Sequence, residues 1–473
     1  MSLEGGPSTQ AARPTPKLSA AALFAIMIGP FISMLDGNVI NVAVADISRE
    51  LHASIAQVGW TISAYLLALA ASLPATAWLA KRFGTRRIYM VALAAFGVAS
   101  VACAAAPNVE ALIGARAVQG FVGAPLVPLA LSMLFVGDTR YRMPAALGLM
   151  LFLAPALGPS VGGLIIGAVG WRPIFLINVP IVAAGLLGAL QLPTDEQKGA
   201  ANQVPFDALG LVLLVGGMTA VTFGASELTR VGVHTVAGWA AVAVGVVLLI
   251  GYGVRERIVK FPILDLSMLA QTATQVGLGC CTIASIVLWA MLFVIPVYVQ
   301  QSMGLSATVA GLILLPQGVI MGLGSPLGEV MIRTGRLRLT VVLGMLILTV
   351  TTAGLLVVTT TTSPWLIAAI LGGRGIALAL TIQPLVAGLL GDGADVAMAD
   401  SSTVFTVSQR IGASLGIAAV AAFYQARFAT GNAFGDTVTL LVVISAVGAA
   451  LALLLPRRTV GEPQQQSAVE LTS

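Results

Sequence analysis

Charged side chains are scarce: Asp, Glu, Lys and Arg make up 9% of the 473 residues, where soluble domains carry about 25%. A water-soluble surface cannot be built from so few, which excludes a soluble enzyme or regulator. Histidine is nearly missing, with only His52 and His234, both in short polar connections. The three cysteines, Cys103, Cys280 and Cys281, each lie inside an apolar run, where cysteine acts as a small hydrophobe. That inventory makes neither a disulfide framework nor a metal site. Also missing are a Walker phosphate loop, paired catalytic carboxylates, and any set of nucleophile, base and orienting group. The chain has no means of hydrolysing ATP by itself, no cofactor is implied, and an ion gradient is the expected energy source.

What is abundant is apolar: 58% of residues are hydrophobic, in recurrent stretches of roughly twenty, the length of a membrane-crossing helix. The first stretch continues past Asp36 without a small-residue cleavage site, so it reads as a helix rather than a signal peptide. The runs predict an all-α membrane protein with fourteen spans, at 19–45, 57–79, 87–106, 110–136, 145–168, 173–192, 206–225, 236–254, 275–299, 307–331, 338–359, 365–390, 402–424 and 436–456. With the N-terminus in the cytoplasm, only Arg49, Arg172, Arg230 and Arg427 fall in outside loops, and Arg116, Arg374 and Arg410 fall within spans. The rest of the 24 basic residues lie inside, which predicts both termini cytoplasmic. The net charge of +5 then reflects basic inner loops, with no nucleic-acid partner implied.

Two loops share the pattern R-x-G-x-x-R: RFGTRR at 82–87 and RTGRLR at 333–338. They lie about 250 residues apart, as do Arg116 and Arg374, which suggests two related halves. The expected organisation is an N-terminal tail (1–18), a six-helix half (19–192), a polar linker with two inserted helices (193–260), a second six-helix half (261–456) and a C-terminal tail (457–473). A substrate site between two such halves is common in secondary transporters.

Asp36, in SMLDGNVINVAVADI, carries the sharpest signal. An ionisable residue within a span is a functional candidate, because apolar surroundings disfavour a lone charge. Measured along the spans, Asp36 lies ~14 Å below the outer face and Arg116 ~9 Å below it. The two are therefore expected to meet, either as a proton-exchanging pair or as fixed polar glue between helices. LAPALGPSVGG (153–163) in the fifth span combines Pro155 and Pro159, which favour a bend, with a GxxxG face of Gly158 and Gly162, followed by Gly163. As a cluster it reads as a bent helix packed closely on a moving partner, although any single glycine there reads better as ordinary tight packing. In WLAKRFGTRRIYM (78–90), Gly84 permits a tight turn that brings Arg82, Arg86 and Arg87 against neighbouring helix ends, or the loop is a plain cytoplasmic anchor.

Taken together, these motifs resemble the major facilitator superfamily, specifically the fourteen-span drug:proton antiporters of the EmrB/QacA type. LDGNVINVAVADI is similar to the first-helix motif L-D-x-T-x-V-N-V-A-L-P, with Asn38 for Thr and Ala45 for Pro. WLAKRFGTRR resembles G-x-L-A-D-R-x-G-R-R, with Ala77 for the first Gly and Lys81 for the Asp, so a latch built on that Asp is not carried over. RAVQGFVGAPLVPLALSML (116–134) resembles the fourth-helix motif whose Arg is implicated in proton coupling, and LAPALGPSVGG the antiporter motif G-P-x-x-G-G. WRPIFLINVP (171–180) and SQRIGASLG (408–416) are similar to the family's stretches in spans six and thirteen, the latter with Gln409 and Arg410 in the polar places.

The resemblance implies a major facilitator fold of two six-helix halves plus two central helices, working by alternating access: protons enter as a hydrophobic or cationic drug, or a similar amphipathic compound, leaves. It implies proton coupling by Asp36 and Arg116, a leak-preventing helix shaped by Gly158, Pro159, Gly162 and Gly163, and cytoplasmic gating by Arg82, Gly84 and Arg86. Asn38, Asn41, Trp60, Tyr65, Trp289, Gln317 and Gln383 are candidates for lining the substrate cavity, though each reads equally as interfacial or structural. The implied setting is a bacterial cytoplasmic (inner) membrane, with the protein multi-pass and monomeric and its partners the lipid bilayer, protons and a small amphipathic substrate. Relatives in double-membrane bacteria can join an adaptor, but no adaptor-binding surface is legible here. Two alternatives stay open: a dedicated exporter of an endogenous metabolite, antibiotic or lipid, and a non-transporting membrane sensor.

Overall fold

The computed structural model describes residues 20–134, 145–192, 207–228, 236–259, 271–333, 336–382, 384–385, 395–428 and 431–456. Gln383, Arg140, Arg142, Lys198 and both expected tails lie outside the described residues. The described chain is helical, and the breaks between helices follow from local chemistry. α1 (Ala20–Val39) passes through a single 3-10 turn, Ile40–Val42, into the short α2 (Val44–Glu50). Ser54 caps α3 (Ile55–Phe83) in a reciprocal box with Gln57: Gln57 N donates to Ser54 Oγ at 3.2 Å and Ser54 N donates to Gln57 Oε1 at 2.9 Å. Gly84, at φ 92°, turns the chain directly into α4 (Thr85–Ala104), in a conformation that side chains other than glycine rarely adopt. Asn108 caps α5 (Val109–Gly123), whose Ala111 N donates to Asn108 Oδ1 at 2.8 Å.

The run expected as one span at 110–136 holds as one membrane-length span, Val109–Ala130, with a turn between α5 and α6 (Leu126–Leu134) where Pro125 offers no N–H to the helix. Next come α7 (Ala145–Val169), α8 (Pro173–Leu176), α9 (Asn178–Ala189), α10 (Ala208–Leu228) and α11 (Val236–Glu256). Beyond them lie α12 (Thr272–Gln301), α13 (Ala307–Arg333), α14 (Leu337–Ala353), α15 (Pro364–Ala379), α16 (Asp395–Arg427) and α17 (Ala433–Ala452). Among the described residues, ten helices are long and apolar enough to cross a membrane. Large apolar side chains such as Val98, Leu187, Val247, Leu323, Val350 and Val443 are exposed all round the bundle. Such a surface suits lipid, and helices satisfy their backbone groups there without water.

α1 packs on α7 and α9, and α3 on α5; further along the chain, α12 packs on α16 and α17, and α13 on α15. α10 and α11 pack mainly on each other, brought close by Gly217, Gly224 and Gly245, where an added Cβ would strike the facing helix. α10 leans on α3 and α16 through Leu214 and Met218, which cluster with Leu67, Ala70 and Val407. The hairpin is tied by Asp207, whose buried Oδ1 accepts from Gly210 N at 2.8 Å and from Arg255 Nε at 2.7 Å. Asp207→Ala removes both the cap and the ion pair, and is expected to destabilise the hairpin by about 1–2 kcal/mol. A fall of the heat-denaturation midpoint in detergent is the readout, and an unchanged midpoint would show that the tie is dispensable.

Helices from before and after the α10–α11 hairpin meet along two seams. On the first, Ser160 Oγ of α7 donates to Gly311 O of α13 at 3.1 Å, and Thr308 Oγ1 of α13 donates to Gly163 O at 3.0 Å. On the second, Ser63 Oγ of α3 donates to Ser414 O of α16 at 3.2 Å, and Ser414 Oγ returns a bond to Ser63 O at 3.3 Å. At the α7–α13 end, Gln300 Nε2, at the close of α12, donates to Val42 O at 2.9 Å.

Candidate functional site

The centre of the first set of helices holds a sealed polar network. Asp36 and Arg116 are each 0% exposed. Arg116 Nη1 donates to Asp36 Oδ2 at 2.5 Å, joining α1 to α5 as the depth argument required. The other carboxylate oxygen, Oδ1, accepts from Gln119 Nε2 at 3.1 Å and from Asn178 Nδ2 at 2.7 Å. Both amides also donate to Ser100 Oγ of α4, at 2.8 and 3.1 Å. Gln119 Oε1 accepts from Arg116 Nη1 at 2.7 Å, and the Cys103 thiol sits on the same oxygen at 3.4 Å. Arg116 Nε donates to Thr61 O at 3.3 Å, and the guanidinium lies over the Tyr65 ring, 4.1 Å from its centroid. Arg116 Nη2 has no hydrogen-bond partner among the described residues.

Both carboxylate oxygens thus face donors, and the strongest is a charged one. A proton on Asp36 would leave Arg116 without its countercharge. The network therefore holds either the ion pair or a neutral Asp36 beside an uncompensated guanidinium. Taking either partner away from a buried pair costs about 3–5 kcal/mol, so a change at this point is felt by α1, α3, α4, α5 and α9, which all meet there.

α7 lies between this network and the α13 seam. A Cβ at Gly158 would come within 2.9 Å of Asn38 Cβ, and one at Gly162 within 2.6 Å of Val39 Cγ2, so this glycine face is fitted to α1. Gly163 turns to the other side, where a Cβ would overlap Ala307 O. Gly311 of α13 is its counterpart, with a Cβ there overlapping Pro159 O. The helix is unbroken through Pro155 and Pro159.

The remaining candidates separate by position. Asn38 donates to Met34 O at 2.7 Å, and Asn41 donates to Asn38 O at 3.0 Å while its own buried Oδ1 is unpartnered among the described residues. Tyr65 is fully buried, and its hydroxyl donates to Ser33 O at 3.1 Å. Trp60, though only five residues away, lies against Phe223 of α10 at 6.1 Å between ring centroids, not beside Tyr65. Trp289 is partly buried on α12 under Arg410, and Gln317 on α13 is 3% exposed with Oε1 unpartnered among the described residues. In the basic turn, Arg86 Nη2 donates to Leu190 O at 2.9 Å, joining α4 to the end of α9, while Arg82 and Arg87 are exposed. Arg374, the counterpart of Arg116, is fully buried and donates to Thr352 Oγ1 and to Val287 O, with no carboxylate partner among the described residues.

Sequence reasoning missed Gln119, Asn178, Ser100 and Gly311. Gln119 was within reach, since it lies one helical turn from Arg116 on the same face. Asn178 stands inside the WRPIFLINVP stretch, where it opens α9, and Trp171 Nε1 and Arg172 of that stretch fix the segment to Glu50 of α2. Ser100 and Gly311 carry no signal at all in a chain with this many small residues.

Apolar helices with outward apolar side chains, wrapped around a sealed ion pair, make a helical membrane protein. The chain belongs to the Major Facilitator Superfamily, whose sequence profile matches residues 26–417. The Multidrug resistance protein B homolog of Mycobacterium tuberculosis is 31% identical over 411 residues, covering 85% of this chain and 75% of that protein. The Multidrug export protein EmrB of Haemophilus influenzae is 32% identical over 334 residues, 67% of this chain and 63% of its own length. The crystal structure of a mutant of the nucleoside transporter NupG superimposes with a TM-score of 0.59 at 13% identity, covering 92% of this chain and 98% of that one, a likeness of fold alone.

Proposed function

We propose that this protein exports amphipathic, drug-like compounds in exchange for protons, by alternating access. The observation that carries the reading is the sealed Asp36–Arg116 pair, joined by α1 to the glycine-fitted α7 that forms a seam with α13. A proton arriving at Asp36 neutralises the carboxylate and loosens its hold on Arg116, α1 shifts, and α7 follows because Gly158 and Gly162 leave no slack between the two helices. The seam at Gly163 and Gly311 then opens. Relatives named for multidrug resistance and export support drug-like cargo.

In this reading fourteen spans cross a bacterial inner membrane with both termini cytoplasmic. The two moving bodies are 19–192 and 261–456, with 193–260 as an insertion, and the α7–α13 seam closes the outer side. Gly158, Pro159, Gly162 and Gly163 keep the exchange tight, and Arg82, Gly84 and Arg86 gate the cytoplasmic side. Asn38, Asn41, Tyr65, Trp289, Gln317 and Gln383 remain candidates for the cavity wall.

The test is purified protein in liposomes under an imposed pH gradient, with lumenal pH followed as amphipathic compounds are added. Proton movement triggered by several unrelated compounds is the expected result. A response to one compound alone would point to a dedicated exporter, and no response to any would overturn the proposal.

A further inference from the structure

Arg410 is the one described intramembrane arginine that the network above leaves unexplained. It lies in the middle of α16, roughly 20 Å or more from either end of that helix, too far for its side chain to reach a membrane surface. The other two intramembrane arginines are held: Arg116 by Asp36, and Arg374 by Thr352 and the Val287 carbonyl. Arg410 has no ion pair or hydrogen bond among the described residues; its guanidinium carbon stands 6.0 Å from the centroid of the Trp289 ring. Arg410 and Trp289 are both partly exposed, so the space they face is open to something.

The position is fixed by the helices. One turn beyond Arg410, Ser414 exchanges hydrogen bonds with Ser63 of α3, and a Cβ at Gly412 would meet Thr282 O of α12 at 2.7 Å. Arg410 is also close enough to Tyr65 of α3 to interact with it electrostatically, and Tyr65 lies under Arg116. The free guanidinium therefore stands where α3, α12 and α16 meet, across the interface from the Asp36 network.

We propose that Arg410 and Trp289 form the anchoring subsite for the exported compound, taking an aromatic ring that carries an acceptor oxygen, carboxylate or carbonyl. The proposal rests on the transport reading above. A guanidinium presents forked N–H donors that match such oxygens and lacks any acceptor of its own. The Trp289 indole beside the guanidinium gives the ring an aromatic wall to pack against. A compound whose polar end is purely cationic would meet like charge here.

The subsite is tested by equilibrium binding in lipid nanodiscs without a gradient, using isothermal titration of 2-naphthoate, 2-naphthamide and 2-naphthylmethylammonium. The two acceptor-bearing probes are expected to bind the unaltered protein better than the ammonium. Arg410→Gln should weaken both by roughly tenfold or more, Arg410→Lys should recover much of the naphthoate affinity, and Trp289→Leu should weaken both. Unchanged naphthoate and naphthamide affinities in Arg410→Gln, at an unchanged denaturation midpoint, would overturn the subsite, as would tightest binding of the ammonium. Binding that depends on Arg410 in a protein without proton-linked flux would overturn the transport reading instead and leave the subsite standing.

Discussion

Asp36→Asn brings substrate-triggered proton movement down to the level of empty liposomes. The amide matches the carboxylate in shape but cannot take up or release a proton, so an exchange coupled as proposed through Asp36 has no proton site left. The substitution also leaves Arg116 buried without a countercharge, and turns an amide donor toward a site where Arg116, Gln119 and Asn178 already donate. A loss of about 3–5 kcal/mol in stability is expected from that mismatch alone. Lost flux in the single variant is therefore ambiguous, and the paired variant Asp36→Asn with Arg116→Met resolves it. Removing both charges relieves the uncompensated cation, so the denaturation midpoint should recover much of the way toward the unaltered protein. Flux should stay at background, because stability returns without a proton site. Recovery of flux together with stability would show that the pair is structural glue and that coupling lies elsewhere.

Gly311→Ala is the second large effect, and its mechanism is steric. The new methyl group would overlap Pro159 O, a backbone atom with no rotamer by which to withdraw. The α7–α13 seam must open to admit it, and overpacking of this kind costs about 1–3 kcal/mol. Taken from the closed state alone, that shifts the open-to-closed ratio roughly fivefold to 150-fold. Arg49 and Phe428 line one cleft at this end of the bundle, from opposite sides of the interface. Spin labels at these two positions, with Cys103, Cys280 and Cys281 replaced, should report a longer distance in Gly311→Ala. Gly163→Ala should act the same way against Ala307 O, whereas Gly162→Ala should push α7 off α1 and lower stability without lengthening the label distance. An unchanged distance in Gly311→Ala would remove the seam from the gating scheme.

The sequence by itself determined the class of molecule. With 9% charged residues and apolar runs of membrane-crossing length, no other solution satisfies the backbone. It also placed Asp36 and Arg116 within side-chain reach in depth, ~5 Å apart, because rise per residue in a helix is constant and both spans could be counted from the same face. Gly84 was legible for a similar local reason: only glycine takes its positive φ at no steric cost.

The tertiary structure alone decided which helix faces touch. A chain of small and apolar residues offers every helix several equivalent faces, so nothing local marks Gly311 as the partner of Pro159 or sets Trp60 against Phe223 instead of beside Tyr65. The same holds for Asn178 and Ser100, whose meaning comes from lying within hydrogen-bond distance of residues far away along the chain. Helix depth is a one-dimensional property, fixed by counting residues. Helix rotation and neighbour choice depend on packing throughout the bundle, and there Arg410, with no hydrogen bond or ion pair among the described residues, and the closed seam came into view.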